Sequence, residues 1–450
     1  MRISIIGTGY VGLVTGVCLA EKGLKVTCVD VDLEKLKKIN DSISPIFEPG
    51  LDSLLERNIH KNLSVSSDIE RSVGESDVSI IAVGTPFDGE KVDLKYIKRV
   101  AADIGKGIKS KGSYHVVVVK STVPPGTTDE IVKVTVEEKS GKKAGEDFGI
   151  GVNPEFLREG CAVEDFMNPD RIVIGGIDKK TTDMIAEIYN PFRDVDIVKT
   201  NNRTAEMIKY TSNSILATLI SFSNEIGNLC SKTKNVDVKD VMRGIHLDKR
   251  FNPILSDNER ANPGMLSYLE AGCGFGGSCF PKDVKTLISY AEGLGEKVEL
   301  LNAVIKINEN QPFKLIELLK KHYGDIKDIR VMVLGLAFKP DTDDVRESPA
   351  IPLINSLIRN GARVKVYDPV VKTKAEDLFG DSGVEILFSR EDMLNNLSKI
   401  DALFLVTSWK EFYGLESIIN KTNPDLLVID GRRIFDNNLI DKYEGIGLGD

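Results

Sequence analysis

The sequence has few of the residues that bind metal ions or cross-link secreted proteins. Its 450 residues include one tryptophan and only four histidines, which lie far apart at positions 60, 115, 246 and 322. The six cysteines are scattered through the chain, and none belongs to a C-x-x-C pair. We therefore expect no metal site and no disulfide framework, because this cysteine pattern is typical of reduced thiols in a cytosol.

Long apolar runs are also missing, and neither sign of charge is in large excess. No stretch reaches the length that a bilayer span needs, and the chain opens directly into an apolar strand, so we expect neither a membrane helix nor a signal peptide. The formal net charge of −9 argues against nucleic acid or an anionic membrane as the main partner. A small anionic substrate is still compatible, since its site needs only a few local cations. These features predict a cytoplasmic protein of two or three domains.

The N-terminus carries a glycine-rich turn in the context of a strand, a helix and a second strand. A short apolar strand (residues 2–6) leads into Gly7, Gly9 and Gly12, a helical stretch follows, and a second strand (residues 25–29) ends at Asp30. This order is typical of a dinucleotide site, in which the pyrophosphate rests on the helix N-terminus. Asp30 would accept hydrogen bonds from the adenosine ribose and repel a 2′-phosphate, so NAD is favoured over NADP.

Strands and helices continue to alternate over the first 200 residues, with apolar strands at 78–83, 115–119, 148–152 and 171–175. Such alternation predicts a doubly wound parallel sheet with helices on both faces, whose ligands gather at the carboxyl ends of the strands. Thr85, Thr122 and Glu155 follow three of these strands. Their side chains either contact a cofactor or cap the next helices, and position alone does not separate the two interpretations.

The opening pattern returns near residue 330. A strand at 330–334, a turn from Gly335 to Pro340, a helix near 348–360 and a strand at 363–367 ending at Asp368 resemble the first unit without its third glycine. Further apolar strands at 402–406 and 426–429 support a second domain of this kind. We predict an α/β fold of two Rossmann-like domains, at 1–200 and 326–450, joined by a helical domain at 201–325. Lys339 and Arg346 stand where phosphate-binding glycines would be; they either neutralise a diphosphate or are ordinary solvated surface cations.

A cysteine follows the glycine-rich stretch at residues 274–278, at the predicted start of a helix. Pro281 suits the first helical position, which would make Phe280 the cap and place Cys279 just outside the positive end of the helix dipole. Such a place favours the thiolate, the nucleophilic form of a cysteine. Lys282 and Asp283 add a cation and a base within one turn. The alternative is a small buried hydrophobic residue after a flexible loop, as most cysteines are.

Residues 203–232 contain no proline and a single glycine, and their apolar residues keep a helical period. We predict an unusually long helix that forms a spine between two domains and, in addition, a dimer interface. Lys209 and Asn213 lie four residues apart and therefore share one face of this helix. They are either functional or two solvated polar residues.

Taken together, six motifs in this order resemble those of the UDP-glucose/GDP-mannose dehydrogenase family of nucleotide-sugar dehydrogenases, and within it the UDP-glucose 6-dehydrogenases. The resemblance runs from residue 1 to about residue 435. It implies oxidation of a sugar's primary alcohol to a carboxylate with two NAD⁺, two Rossmann-like domains joined by a long helix, and a homodimer. The motifs are Gly-Tyr-Val-Gly (9–12), Ser-Thr-Val-Pro-Pro-Gly-Thr (121–127), Asn-Pro-Glu-Phe-Leu-Arg-Glu-Gly (153–160), Asn-Pro-Asp-Arg (168–171), Gly-Phe-Gly-Gly-Ser-Cys-Phe-Pro-Lys-Asp (274–283) and Ala-Phe-Lys-Pro-Asp-Thr-Asp-Asp-Val-Arg-Glu-Ser (337–348).

The same resemblance implies roles for individual residues. Cys279 would capture the C6 aldehyde, Lys209 and Asp283 would hold a water and handle the alcohol proton, and Asn213 would position the reacting oxygen. Glu155, aided by Thr122 through water, would be the base in thioester hydrolysis. NAD contacts would come from Gly7, Gly9, Tyr10, Val11, Gly12, Asp30, Lys35, Thr85, Thr122, Glu159, Lys282 and Arg346. Substrate contacts would come from Glu155, Phe156, Leu157, Arg158, Lys209, Asn213, Tyr268, Leu269, Gly272, Gly276 and Lys339.

Other functions fit part of this pattern. The same chemistry on GDP-mannose or a UDP-N-acetylhexosamine keeps every motif, although the Phe-Pro after Cys279 favours UDP-glucose. A two-electron hydroxyacid dehydrogenase would need neither the cysteine nor the second nucleotide-binding domain, and a non-catalytic NAD sensor would not need Cys279, Lys209 and Asp283. The chain departs from the family in one place. Arg250 is the candidate for an arginine that reaches a neighbouring subunit's sugar, but the connection at 251–267 is longer than usual.

Overall fold

The computed structural model describes residues 1–256, 258–380 and 382–449. The chain forms two compact units, Met1–Ser212 and Asn213–Asp450. One residue of the long connection named above, Asp257, lies outside the described residues.

The first unit is built on an eight-stranded sheet. Its central strands are buried on both faces, as in β5, where all five residues are buried; this is the pattern of a sheet covered by helices on both sides. The strands are β1 (Arg2–Ile6), β2 (Lys25–Val29), β3 (Leu63–Ser66), β4 (Val78–Ile81), β5 (His115–Val119), β6 (Phe148–Val152), β7 (Arg171–Gly176) and β8 (Asp196–Thr200).

The strand order is β3-β2-β1-β4-β5-β6-β7-β8. Neighbours run parallel apart from β6 and β7, which pair antiparallel through residues 151–152 and 175–176. The sequence analysis placed 171–175 in a parallel sheet; β7 and β8 instead form a parallel pair of their own that joins the sheet in the reversed direction. The carboxyl ends of β1, β4, β5 and β6 therefore share one edge of the sheet. The predicted ligand residues come after these strands in the chain.

Eight helices accompany this sheet in the described residues. Three of them begin with an aspartate whose side chain accepts a hydrogen bond from the first turn, namely Asp32, Asp68 and Asp178. A π-helical turn at Thr128–Val132 leads into the sixth helix. The helices are α1 (Tyr10–Glu21), α2 (Leu33–Asn40), α3 (Leu51–Asn58), α4 (Ile69–Glu75), α5 (Lys95–Lys109), α6 (Lys133–Ser140), α7 (Ala162–Met167) and α8 (Lys179–Glu187).

The long helix predicted at 203–232 is present as α9 (Asn202–Cys230), with 29 residues. Lys209 is 3% exposed and Asn213 is 7% exposed, so the interpretation of these two residues as solvated side chains is wrong. The helix is also longer than any membrane span would need, but no helix among the described residues is both long and apolar enough to cross a bilayer.

The second unit contains a six-stranded, wholly parallel sheet in the order β11-β10-β9-β12-β13-β14. Its strands are β9 (Arg330–Leu334), β10 (Arg363–Tyr367), β11 (Glu385–Leu387), β12 (Ala402–Leu405), β13 (Leu427–Asp430) and β14 (Tyr443–Gly445). The helices of this unit are α10 (Val238–His246), α11 (Phe280–Gly293), α12 (Glu299–Tyr323), α13 (Ala350–Arg359), α14 (Thr373–Phe379), α15 (Arg390–Asn396) and α16 (Leu415–Thr422). Short 3₁₀ turns lie at Gly264–Tyr268, Leu397–Lys399, Lys410–Phe412 and Asn437–Leu439.

The predicted fold class is confirmed: two Rossmann-like α/β sheets and a long central helix. Four strands were not predicted, β3, β8, β11 and β14, and all four are short or solvent-exposed at the margins of their sheets. The division into three domains at residues 200 and 325 stays a prediction.

Candidate active site

The glycine-rich turn after β1 has the geometry that a dinucleotide needs. Gly7 has φ +99°, which favours glycine. A Cβ on Gly12 would lie 1.9 Å from the carbonyl oxygen of Gly7, so this glycine lets α1 pack on the turn. A Cβ on Gly9 would meet no atom within 4 Å, and Gly9, as the N-cap of α1, leaves the helix without a side-chain cap. The N-terminus of α1 is therefore open to a pyrophosphate, and the turn fits NAD.

Asp30 at the end of β2 accepts hydrogen bonds at both oxygens. Its Oδ2 accepts from the backbone N–H and the hydroxyl of Thr8, both at 2.7 Å, and its Oδ1 accepts from Asp32 N–H at 3.0 Å. Lys35 Nζ lies 3.7 Å from Oδ2. Burial raises the pKa of Asp30, but the Thr8 and Asp32 hydrogen bonds and the Lys35 charge outweigh it and hold the pKa below its usual value. Asp30 is thus a carboxylate beside the turn, as predicted for a ribose contact.

Glu48 is a buried residue of this site that the sequence analysis missed. Tyr10, in the glycine motif, donates its hydroxyl hydrogen bond to Glu48 Oε2. The same carboxylate accepts the backbone N–H groups of Gly160 at 2.8 Å and Val163 at 3.2 Å. It therefore ties the start of α1 to the 153–160 segment. A single sequence offers no signal for this role, because a glutamate before Pro-Gly reads as an ordinary loop residue.

Glu155 follows β6 and forms a buried ion pair with the long helix. Glu155 Oε1 lies 3.1 Å from Lys209 Nζ, and the two residues are 7% and 3% exposed. Glu155 Oε2 accepts the backbone N–H of Leu157 at 2.6 Å. The Phe156 ring lies beneath Lys209 Nζ (5.3 Å) and Arg171 (4.0 Å). The structure brings Glu155, the predicted base, together with Lys209, which was predicted to hold a water and handle the alcohol proton.

The neighbouring strand ends contribute hydroxyls and charges. Thr85 donates its hydroxyl to the carbonyl of Thr122 at 2.9 Å, so these two predicted residues are adjacent. Arg158 is exposed and makes an ion pair with Asp165 at 2.6 Å. Glu159 is half-buried, between Arg158 and the Gly160 that Glu48 binds.

Lys120, between β5 and Thr122, is a second buried residue that the sequence analysis missed. Its Nζ donates to Asn153 Oδ1 at 3.0 Å, and the residue is 3% exposed. Burial lowers the pKa of Lys120 to about 8; the Glu155 charge opposes this shift, and the Lys209 charge adds to it. Its position at a strand end was the available signal, since the sheet edge was already marked as a ligand site.

In the second unit, Cys279 lies at the N-cap of α11. The helix begins at Phe280, one residue earlier than predicted, so Cys279 and not Phe280 is the cap. The reason is that φ and ψ of Cys279 (−106°, −66°) already bring its carbonyl into the first helical hydrogen bond, which Asp283 N–H donates at 2.8 Å. Cys279 Sγ is 3.6 Å from Ser278 Oγ. The thiol lies where the helix dipole favours a negative charge.

One turn into α11, Asp283 is held by two neighbours. Its Oδ2 accepts from Asn213 Nδ2 at 2.6 Å, and its Oδ1 accepts from Lys282 Nζ at 2.5 Å. Asp283 is 1% exposed. The predicted cysteine, acid, amide and lysine therefore form one cluster at the start of α11, with a thiol and a buried carboxylate one helical turn apart.

The backbone of the glycine-rich loop is fixed by side-chain amides that the sequence did not reveal. Asn224 Oδ1 accepts from Gly272 N–H at 2.8 Å, and Gln311 Nε2 donates to the Gly272 carbonyl at 2.9 Å. Asn308 binds both the N–H and the carbonyl of Phe275. These amides come from α9 and α12, which are distant from the loop in sequence, so no local pattern could have identified them.

The glycines of this loop also pack against the turn that follows β9. A Cβ on Gly276 would lie 2.3 Å from the carbonyl oxygen of Glu347, and one on Gly277 would lie 2.8 Å from the Phe338 ring. Gly277 N–H donates to the Arg346 carbonyl at 2.8 Å. Predicted residues of the loop and of the β9 turn are thereby brought together. Lys339 is half-buried beside Phe338, and the Arg346 guanidinium binds Asp344 at 2.7 Å.

The remaining predicted residues of this unit precede the glycine-rich loop in the chain. The Tyr268 ring packs on Phe280 with 6.1 Å between centroids, and the Leu269 carbonyl lies 3.0 Å from His246 Nε2. Arg250 is exposed and paired with Asp248. No group of three metal-binding side chains occurs among the described residues.

An open dinucleotide turn and a helix-capping cysteine beside a buried carboxylate define a dinucleotide-dependent dehydrogenase. Comparison with known proteins specifies the family. Residues 1–193, 203–310 and 332–437 match, in order, the NAD binding domain, the central domain and the UDP binding domain of the UDP-glucose/GDP-mannose dehydrogenase family. The chain belongs to this family; it is an NAD-dependent oxidoreductase.

Individual relatives agree with the family assignment over most of the chain. The UDP-glucose 6-dehydrogenase TuaD of Bacillus subtilis is 41% identical, over 96% of this chain and 89% of that protein. The GDP-mannose 6-dehydrogenase of Pseudomonas aeruginosa is 44% identical, over 82% of this chain and 81% of that protein. The solved UDP-glucose dehydrogenase of Pyrobaculum islandicum superposes with a TM-score of 0.90 at 38% identity, covering 99% of this chain and 98% of that one.

Proposed function

We propose that the protein oxidises UDP-glucose to UDP-glucuronate with two NAD⁺, through intermediates bound to Cys279. The observation that carries this proposal is the cluster at the start of α11, where Cys279 caps the helix and Asp283 is buried between Asn213 and Lys282. An ordinary two-electron dehydrogenase has no use for a nucleophile at this point. The match of residues 332–437 to a UDP binding domain supports a uridine nucleotide as the carrier.

The reaction then divides into two oxidations and a hydrolysis. Bound NAD⁺ would accept one hydride in each oxidation, and a second NAD⁺ would replace the first NADH. Asp283 and Lys209 take the proton of the C6 alcohol through a water, leaving an aldehyde. The Cys279 sulfur adds to the aldehyde carbon, its proton passes to the oxygen, and the resulting thiohemiacetal loses a hydride and a proton to become a thioester.

Hydrolysis releases the product. Glu155, aided by Thr122, takes a proton from water as the water oxygen bonds to the thioester carbon. Lys209 stabilises the tetrahedral oxyanion, and Asn213 positions the reacting oxygen. The carbon–sulfur bond then breaks, and the Cys279 thiolate leaves with the electron pair. The buried Lys209–Glu155 pair supports these two roles because each charge is held at a defined position.

Binding roles follow the two glycine turns. We assign NAD to the turn at 7–12, with Asp30 and Lys35 at the ribose and Thr85, Thr122 and Glu159 along the sheet edge. We assign Lys282 and Arg346 to the same cofactor. The sugar nucleotide is assigned to residues 155–158, to Tyr268, Leu269, Gly272 and Gly276, and to Lys339 at the diphosphate.

A panel of sugar nucleotides with NADH counted per substrate consumed tests the activity. Two NADH per UDP-glucose support the proposal, and one NADH supports a hydroxyacid-type reaction. GDP-mannose is the second candidate substrate, because the Pseudomonas relative that acts on it is 44% identical. Preferred turnover of GDP-mannose, or of a UDP-N-acetylhexosamine, would replace UDP-glucose and leave the chemistry unchanged.

Two variants test the covalent steps. Cys279→Ser keeps the shape but replaces the sulfur with a poor nucleophile and leaving group, so steady production of the carboxylate should vanish while nucleotide binding persists. Glu155→Gln should form the thioester and hydrolyse it slowly, so that intact-mass spectrometry detects an adduct on Cys279. Near-normal carboxylate production by Cys279→Ser would refute the nucleophile assignment.

We also propose a homodimer through α9. Ile215, Phe222 and Leu229 recur every seven residues on this helix and are 52%, 49% and 65% exposed, so they form an apolar stripe on one face. A second copy of the same stripe is its natural partner in an isologous interface. Light scattering of the Phe222→Glu variant, which should shift toward monomer, tests this assignment; an unchanged mass would refute it.

A further inference from the structure

The long connection between α10 and the glycine-rich loop contains a hairpin, whose described residues are 252–256 and 258–262. Ala261 N–H donates to the Pro253 carbonyl at 3.0 Å, and an isolated bridge pairs Ile254 with Arg260 in the antiparallel sense. The catalytic and binding roles proposed above do not use this hairpin. Its surface therefore calls for an explanation of its own.

Side chains at the base hold the hairpin in one position. Asn252 is buried; its Oδ1 accepts from Asn262 N–H at 2.8 Å, and its Nδ2 donates to Asn262 Oδ1 at 3.1 Å. The Arg260 guanidinium donates to the carbonyl of Leu247, the C-cap of α10, at 2.8 Å and to that of Asn252 at 3.2 Å. The hairpin is therefore fixed to the end of α10 and presents a defined surface.

This fixed hairpin exposes apolar side chains. Ile254 and Leu255 are 52% and 53% exposed. Single exposed apolar residues need no explanation, but a concentration of them within a short segment marks an interaction site. Five more large apolar side chains are exposed on α10 and around the hairpin, namely Val241, Ile245, Leu247, Phe251 and Met265.

The charge of this segment favours a second copy of the chain as the partner. Residues 238–262 contain five basic and four acidic residues, so their charges nearly cancel, whereas the whole chain has a formal net charge of −9. Two copies that meet through this segment avoid the repulsion that a more acidic surface would cause. A nucleic acid or an anionic membrane would need a clear excess of basic residues, which these residues do not supply.

The area that a stable dimer needs favours the same partner. A specific interface buries roughly 800 Å² on each side, from about 20–30 residues. The stripe of three side chains on α9 proposed above supplies only part of this area. The next helix, α10, begins at Val238, eight residues after α9 ends at Cys230, so its exposed face continues from the stripe along the chain.

We propose that the hairpin and the exposed apolar face of α10 pack against a second copy of the chain and complete the interface that begins at the α9 stripe. The inference rests on the homodimer of the proposed function and is independent of the chemistry at Cys279. It predicts that the apolar side chains of the hairpin become buried when two copies associate.

Sedimentation velocity over a concentration series measures the dissociation constant of the dimer. The double variant Ile254→Asp/Leu255→Asp should raise this constant roughly a hundredfold or more, because an isologous dimer would lose four buried apolar side chains. The matched control is Leu378→Asp/Phe388→Asp, which changes two side chains that are 44% and 45% exposed, on α14 and directly after β11. This control should leave the dissociation constant unchanged.

Two further measurements separate loss of the contact from damage to the fold. Replacement of residues 254–260 by Gly-Gly removes the apolar surface and keeps the base, because Pro253 and Ala261 already share a hydrogen bond, and it should also shift the protein toward monomer. Hydrogen–deuterium exchange of the hairpin should be slower in the unmodified dimer than in Phe222→Glu, which changes α9 and leaves the hairpin sequence intact.

The outcomes are separable. An unmodified protein that stays monomeric at every concentration would refute the proposed homodimer and, with it, this inference. A dimer whose dissociation constant is unchanged in both hairpin variants would refute the inference alone, and so would hairpin exchange that is equally fast in the dimer and in a monomeric Phe222→Glu. An equal rise in Leu378→Asp/Phe388→Asp would also refute it, because any charge on an exposed apolar site would then have the same effect.

Discussion

The two glycine turns of this protein share a backbone and differ in what they leave open. Gly7 and Gly335 have φ of +99° and +93°, and each donates its N–H to the last residue of the neighbouring strand at 2.8 Å. After Gly7 the chain enters α1 within three residues, through a glycine with no atom around its missing Cβ. After Gly335 it runs through Phe338 and Lys339 before α13 begins at Ala350.

The aspartates that follow the second strand of each unit's first strand–helix–strand segment, Asp30 after β2 and Asp368 after β10, also differ in how accessible they are. Asp30 accepts three hydrogen bonds, and its side chain is 12% exposed beside Lys35. Asp368 is 2% exposed and accepts five, from the N–H groups of Leu336, Ala337, Val370 and Val371 and from the Trp409 indole. In both units, the glycine turn and its aspartate therefore stabilise the fold. The first turn differs because its helix N-terminus is open and its aspartate keeps some contact with solvent, as a binding site for a dinucleotide needs.

The largest expected effect is a loss of stability on substitution of Gly12, the third glycine of the first turn, which the second turn lacks. Gly12→Ala would place a Cβ 1.9 Å from the Gly7 carbonyl oxygen, a distance at which the backbone has to move. We expect a loss of stability of about 4 kcal/mol or more, or no folded protein. Gly9→Ala is the matched control, since it meets no atom and should lose NAD affinity while the fold persists. Denaturant unfolding that is normal for Gly12→Ala would contradict the comparison.

Asp368→Ala should cost stability more than nucleotide binding. It removes the acceptor for the five donors named above, and a buried unsatisfied donor is costly, so we expect a loss of about 3 kcal/mol in the free energy of unfolding. Asp368→Asn should recover part of this loss, because the amide oxygen still accepts at one edge. Thermal and denaturant unfolding measure both variants. If Asp30→Ala costs as much stability as Asp368→Ala, the two acids do not differ as described.

Much of this comparison was visible in the sequence. The strands at 2–6, 25–29, 330–334 and 363–367 were predicted with the bounds that the structure has, because buried parallel strands are continuous apolar runs. The strands that were missed, such as β8 with four of its five residues exposed, have no such run. The reversed direction of β7 was not visible either, since strand direction depends on pairing and not on local pattern.

The residues of the candidate site divide in the same way, into those that the local sequence predicted and those that it did not. Cys279, Asp283 and Lys282 lie within one helical turn, so sequence proximity alone predicted their contact. Asn213 meets Asp283 across 70 residues, and the sequence suggested this pair only through a family resemblance. Glu48, Lys120, Asn308 and Gln311 were missed, because each acts through a backbone group or buried partner that is far away in the chain.

Substitution of Lys339 tests whether the turn after β9 binds a diphosphate through a cation rather than through a helix N-terminus. Lys339→Ala should raise KM for the sugar nucleotide about tenfold, the effect of losing one charged hydrogen bond of moderate strength, and leave KM for NAD⁺ unchanged. Lys374→Ala is the control, because Lys374 is an exposed lysine of the same unit that pairs with Asp343 at 2.6 Å. An unchanged KM for the sugar nucleotide in Lys339→Ala would mean that the diphosphate lies elsewhere.

The smallest expected effect concerns Asp30, the aspartate beside the first turn. Asp30→Ala removes the carboxylate that we expect to accept from the ribose and to repel a 2′-phosphate, so kcat/KM for NAD⁺ should fall roughly fivefold, the effect of losing one hydrogen bond of about 1 kcal/mol. The preference for NAD⁺ over NADP⁺ should narrow by more than this, since NADP⁺ loses a repulsion at the same time. Asp32→Ala, which removes the cap of α2 and an ion pair with Lys35 but keeps the Asp30 carboxylate, should leave the preference unchanged. Steady-state kinetics with both cofactors measure these ratios. If the unmodified enzyme used NAD⁺ and NADP⁺ with equal efficiency, Asp30 would be a folding acid like Asp368, and the distinction between the two turns would rest on Gly9 and Gly12 alone.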